Sequence, residues 1–173
     1  EEAFRQLVAR YINLVYSSAL RMVGGDRHLA EDVTQTVFVR LWRNARKLPR
    51  DVMLGGWLHR DTCHVASNVL RGEQRRRARA RQAAIMESIP DHTQANLAAV
   101  SPVLDEVINL LDEQDRAAIL LRFFERLDFH AVGAALGGSE DAARMRVSRA
   151  LDRLRDLLAR RGVVLSTAAL AAG

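Results

Sequence analysis

The chain has 173 residues, 27% charged and 5% aromatic, with three prolines and a net charge of +5. That length admits one domain or two small ones, and an aliphatic-rich, aromatic-poor composition favours helices over strands. Cys63 is the single cysteine, which excludes an intrachain disulfide and a Cys-rich zinc site; with no apolar run long enough to span a bilayer, the expected setting is a reducing cytoplasm.

A first helix is predicted from about Glu2 to Val23. Phe4, Leu7, Val8, Tyr11, Val15, Ala19 and Met22 recur at three- and four-residue steps, and Gly24-Gly25 ends the run. Asp26 can cap a second helix with the stripe Leu29, Val33, Val37, Leu41 and Ala45, closed before Pro49. A third is expected after Asp51 to about Gln82, with Leu54, Leu58, Thr62, Val65 and Val69 inward and Gly55-Gly56 loosening its start. Trp42 and Trp57, as large aromatics, are expected in the core.

Charge divides the chain. Residues 1–82 are net +8, residues 83–112 hold no Lys or Arg and are net −5, and residues 113–173 are net +2. The acidic stretch also contains Pro90 and Pro102, so 83–101 is expected to link two helical domains, 1–82 and 102–162, with an apolar tail at 163–173. The second domain should hold four shorter helices: Val103–Leu111, one capped by Asp112 to about Arg126, Phe129–Leu136 capped by Asp128, and Glu140 to about Arg161 capped by Ser139. The expected fold class is all-α.

Two stretches carry chemistry. Residues 128–155 have helix-turn-helix spacing: a short helix with Val132, Ala135 and Leu136 inward, a Gly137-Gly138-Ser139 turn, and an arginine-bearing helix. With Val147, Leu151, Leu154 and Leu158 buried, Arg144, Met145, Ser148 and Arg149 fall on the outer face, where such a motif reads the major groove. An ordinary helical hairpin with a solvated arginine face would share this spacing. The second stretch is Arg71, Arg75, Arg76, Arg77, Arg79 and Arg81, suited to phosphate contact, although a solvated helix end has the same composition. Arginine supplies nearly all the positive charge, Lys47 being the only lysine; its planar fork matches phosphate and guanine edges.

The segment Asp26–Trp42 resembles the polymerase-clamp-binding helix of bacterial sigma factors. Trp57-Leu58-His59-Arg60, with Asn68 and the arginine run, resembles their −10 recognition helix. Leu111–Arg116, Leu121–Glu125 and Arg146–Arg155 resemble their −35-binding domain. The three occur in family order, and the lack of other sigma domains points to the minimal extracytoplasmic-function (ECF) class.

The resemblance implies roles. Asp32, Gln35, Thr36, Val39 and Trp42 would meet the β′ clamp of core RNA polymerase, whose β flap is a further implied contact. His64, Ser67, Asn68, Arg71, Arg75 and Arg76 would contact the −10 element, an unstacked base included. Arg144, Met145, Ser148 and Arg149 would lie at −35 readout positions, with Arg146 and Arg122 reaching the backbone. The acidic linker would thread toward the polymerase cleft. Four positions depart from the family pattern: His64 stands where Asn is usual, Asp61 where an apolar residue is usual, and Val132-Gly133 replaces Ile-Ala, which should alter packing only. Core polymerase and promoter DNA are the implied partners; an anti-sigma factor is a partner the family allows, and the sequence shows neither its existence nor its identity. Without clamp binding, the alternative is a helix-turn-helix regulator.

No Gly-rich phosphate loop or nucleophile elbow is present, so no enzyme is expected. No cofactor is expected either. Cys63 and His64 are only two adjacent ligands, so no metal is expected.

Overall fold

The computed structural model describes residues 2–49, 52–83 and 95–163, with side chains throughout except at 77–83 and 95–102. Among the described residues there are seven α-helices and no strand. They are α1 (Glu2–Met22), α2 (Arg27–Asn44), α3 (Leu54–Ala83), α4 (Ala95–Leu110), α5 (Glu113–Ile119), α6 (Phe129–Leu136) and α7 (Glu140–Ala159).

Helix starts follow their caps. Side chains of Asp26, Asp112, Asp128 and Ser139 accept the backbone N–H three residues on, at 2.7–3.2 Å, filling donors the first turn leaves unpaired. Gly25 donates to the Leu20 carbonyl at 2.8 Å with φ 88°, which ends α1 and frees Asp26 to start α2.

Two cores result. In the first domain Val15, Ala19 and Met22 of α1 meet Val33, Val37 and Leu41 of α2 and Leu58, Val65 and Ala66 of α3. In the second, Val107, Ile108, Ile119 and Leu120 pack on Ala150, Leu154 and Leu158 of α7. Each full burial of a Leu or Val side chain stabilises by about 1.5–3 kcal/mol.

The two domains touch. Leu14 of α1 is buried in the second domain's core, and Met53 packs against Leu121, Val132 and Ala143. Arg10 pairs with Glu125 at 2.9 Å. A Cβ at Gly55 would lie 3.2 Å from Glu125 Oε1, so that glycine permits the close approach of the second domain; α3 begins at Leu54 and includes both glycines.

Several expectations are corrected. Helix α4 begins at Ala95, inside the stretch read as linker; residues 84–94 and the tail 164–173 lie outside the described residues. Helix α5 stops at Ile119 and widens into a π-type turn, Leu120–Phe124, in which Glu125 N–H reaches the Leu120 carbonyl at 3.0 Å; Arg126 then takes φ 57°. The widened turn sets Phe124 beside Arg21 and His59 of the first domain. Ala45 lies past the end of α2, exposed in a 3₁₀ turn. Trp42 is 59% exposed, resting edge-on against Phe4, whereas Trp57 packs partly buried on the core. Ala135 is exposed, because the eight-residue α6 buries only Val132 and Gly133.

Candidate functional site

On α2 the buried residues Ala30, Val33, Val37 and Leu41 occupy one side. Asp32, Gln35, Thr36 and Val39 stand exposed on the other, at steps of three and four residues, and Trp42 extends the same strip. Val39 is 40% and Trp42 59% exposed, so a polar strip with apolar neighbours faces outward where the core does not use it. A groove of about 470 Å³ beside it is lined by Ile12, Tyr16, Gln35 and Phe38.

On α3 three expected −10 residues form a chain along one face. The Asn68 amide lies 3.1 Å from His64 Nε2, and Arg71 donates to Asn68 Oδ1 at 2.6 Å. Both neighbours thus fix the amide's orientation. Arg71, Arg75 and Arg76 are exposed, Arg76 being paired with Glu73; Ser67 is half-buried. Side chains of Arg77, Arg79 and Arg81 lie outside those described, although α3 continues to Ala83.

Asp61, unusual by sequence, reaches Arg40 of α2 at 2.9 Å and ties the two helices. Burial pushes its carboxyl above the usual range, only partly offset by Arg40. Arg40 Nε and Asp61 Oδ2 have no partner among the described residues.

In the second domain Arg144, Met145, Ser148 and Arg149 are exposed on one face of α7, with Met145 at 62%. The Phe129 ring has Arg122 on it at 4.8 Å and Arg144 also at 4.8 Å, two cation–π contacts that hold both guanidinium groups beside α7's first turns. Arg122 also donates to the Leu127 carbonyl at 3.0 Å. Arg146 turns inward to Asp115 at 3.3 Å, bracing α7 on α5. Burial and the nearby Asp112 charge raise the Asp115 carboxyl above its ordinary value, against the pull of Arg146.

The sequence reading missed a polar cluster between the domains. His59 Nε2 lies 2.9 Å from Asp105 Oδ1, and His59 Nδ1 lies 3.1 Å from Asn109 Oδ1. Arg21 donates to both Asp105 oxygens, at 2.7 and 2.8 Å. Burial would raise the Asp105 carboxyl, yet the hydrogen bonds from His59 and Arg21 hold it below the usual range. Burial first, then the Asp105 charge, pushes the neighbouring Cys63 thiol up to about 12. A signal was present in the four-residue spacing of His59/Cys63 and of Asp105/Asn109, but nothing in one sequence pairs the two helices.

Residues 7–76 match the family model Sigma-70 region 2, and residues 107–156 match Sigma-70, region 4. The ECF RNA polymerase sigma factor SigE of Mycolicibacterium smegmatis is 31% identical over 163 residues, 90% of this chain and 61% of SigE. The chain thus spans about three-fifths of SigE's length. The RNA polymerase sigma factor CarQ of Myxococcus xanthus is 29% identical over 161 residues, covering 91% of this chain and 90% of CarQ. Among solved structures, the sigma factor RpoE in complex with the anti-sigma factor NepR from Bartonella quintana is 23% identical, covers 91% of this chain and 98% of that one, and superposes with a TM-score of 0.38. CnrH in complex with the cytosolic domain of CnrY is 24% identical, with coverage of 92% and 89% and a TM-score of 0.39. Region 2 falls on the helices bearing the α2 strip and the α3 chain, region 4 on the helix-turn-helix, and the chain belongs to the sigma-70 family as an ECF RNA polymerase sigma factor.

Proposed function

We propose that this chain binds core RNA polymerase, recognises the −10 and −35 promoter elements and helps open the promoter for initiation. The exposed α2 strip carries the reading. Asp32, Gln35 and Thr36, with Val39 and Trp42 beside them, form a surface the fold does not consume, and it suits docking on the helical β′ clamp. The second domain meets the β flap. The His64–Asn68–Arg71 chain presents an amide and a ring to an unstacked −10 base, while Arg71, Arg75 and Arg76 track phosphate. Arg144, Met145, Ser148 and Arg149 enter the −35 major groove, and Arg122 holds the backbone. The first domain runs from α1 through α3 and the second from α4 through α7, and an anti-sigma factor is the regulatory partner.

Run-off transcription with core polymerase on a random promoter library tests this. Transcripts should depend on the chain and share −10 and −35 sequences; failure with every bacterial core enzyme would remove the reading. The double variant Asp32→Ala with Gln35→Ala should weaken core binding by about 1–3 kcal/mol, with helix content unchanged by circular dichroism. Unaltered affinity would move the clamp contact elsewhere and favour a helix-turn-helix regulator.

A further inference from the structure

The three promoter and polymerase surfaces leave the interdomain cluster without a task. His59 and Cys63 stand one turn apart on α3, and Asp105 faces them from α4. A ring nitrogen, the thiol sulfur and a carboxylate oxygen lie within 4.8 Å of one another, and all three residues are buried. Both ring nitrogens of His59 face oxygens. A neutral imidazole carries one N–H and satisfies one of them. In the tautomer with Nδ1–H donating to Asn109, Nε2 turns its lone pair toward Asp105 Oδ1, which is the state in which a histidine ligates a metal.

We propose that His59 Nε2, Cys63 Sγ and Asp105 Oδ1 form a binding site for a divalent cation of the zinc class that joins the two domains. The donor set is nitrogen, sulfur and oxygen, which a borderline-soft ion takes and calcium or magnesium does not. Bonds of about 2.0–2.3 Å to a tetrahedral ion set donors roughly 3.3–3.8 Å apart. Donors already within 4.8 Å need only small shifts. The outer contacts are those a ligating histidine and carboxylate use: Asn109 Oδ1, 3.1 Å from His59 Nδ1, is placed to accept Nδ1–H when Nε2 ligates, and Arg21 Nε on Asp105 Oδ2 at 2.7 Å orients the carboxylate. The ion displaces the second Arg21 bond, to Oδ1. On binding, the Cys63 thiol gives its proton to solvent, since coordination deprotonates a thiol outright. Thiolate and carboxylate then neutralise the ion, and Arg21, partly exposed, keeps its charge at the rim.

The test uses the full chain, reduced and metal-free, titrated with Co²⁺ as an optical stand-in for Zn²⁺. The expected result is thiolate-to-cobalt charge-transfer absorption with the visible bands of a four-coordinate ion, saturating at equimolar cobalt and bleached by Zn²⁺. Because Cys63 is the only cysteine, a wild-type chain without that band at saturating cobalt overturns the site whatever the variants do. Cys63→Ser should lose the band, and its survival would equally overturn the proposal. Asp105→Asn should weaken cobalt binding by about tenfold or more; unchanged affinity would remove the second domain from the site. Zn²⁺ should raise the Tm of the wild type and not that of Asp105→Asn, equal shifts counting against the joining of the domains. None of these readouts needs polymerase, so the site and the reading as a promoter-specificity factor stand or fall separately.

Discussion

Gly133 sits where α6 touches the turn that follows it. A Cβ there would stand 2.7 Å from the Ser139 carbonyl oxygen, and Gly138 N–H donates to the Gly133 carbonyl at 2.8 Å. The departure from Ile-Ala is therefore more than a packing variation, since the hydrogen-only side chain sets how close α7 starts to α6. Gly133→Ala should cost about 1–3 kcal/mol by urea denaturation and weaken −35 duplex binding by fluorescence anisotropy. Asp112 gives a second residue-level test. The Asp115 N–H, with the Arg153 and Arg146 charges, holds its carboxyl below the usual range. A folded value below the unfolded one contributes stability that is present above the unfolded value and lost as pH falls through the folded one. Asp112→Ala should thus cost about 1 kcal/mol at neutral pH, and the gap to wild type should shrink below about pH 4 in matched urea titrations.

Among the elements, α3 has two tasks along its length. Leu58, Val65 and Ala66 anchor its first half in the core, and the second half carries Arg71, Arg75 and Arg76 out to solvent. Replacing those three with Gln should reduce the slope of log affinity against log salt by about 0.7–0.9 for each phosphate left without its arginine, measured by anisotropy on promoter DNA; an unaltered slope would make this a solvated helix end. Helix positions were legible in the sequence because aspartate and serine caps and three- and four-residue stripes are local signals. The π-type turn after Ile119 was not, because its hydrogen bonding answers to where Phe124 must pack on the first domain. Trp42 was misread for a related reason: size favours burial in general, but its strip faces away from the three-helix core. Most candidate −10 and −35 residues were legible as exposed faces, whereas the half-burial of Ser67 and Arg122 and the inward turn of Arg146 to Asp115 depended on packing between helices.

At the scale of the whole molecule, the interactions that one sequence could not reveal are those that cross between domains: Leu14, Arg10 on Glu125, and Arg21 with His59 on Asp105. Each joins residues far apart in the chain, and the charge pattern that revealed a divide at 83–112 said nothing of the two sides meeting. Their meeting has a metric consequence. A folded chain of 173 residues has a radius of gyration of roughly 16 Å, hence a breadth of roughly 40 Å. Base pairs numbered −35 and −10 are about 25 steps apart, roughly 85 Å of B-form duplex. In this posture the molecule is too short a ruler to touch both marks. Free chain should then bind a duplex carrying both elements no more tightly than one carrying −35 alone, as anisotropy would register. On the proposed function, stretching the ruler falls to polymerase, which would have to prise the whole second domain from α1 and α3 before either mark can be measured against the other.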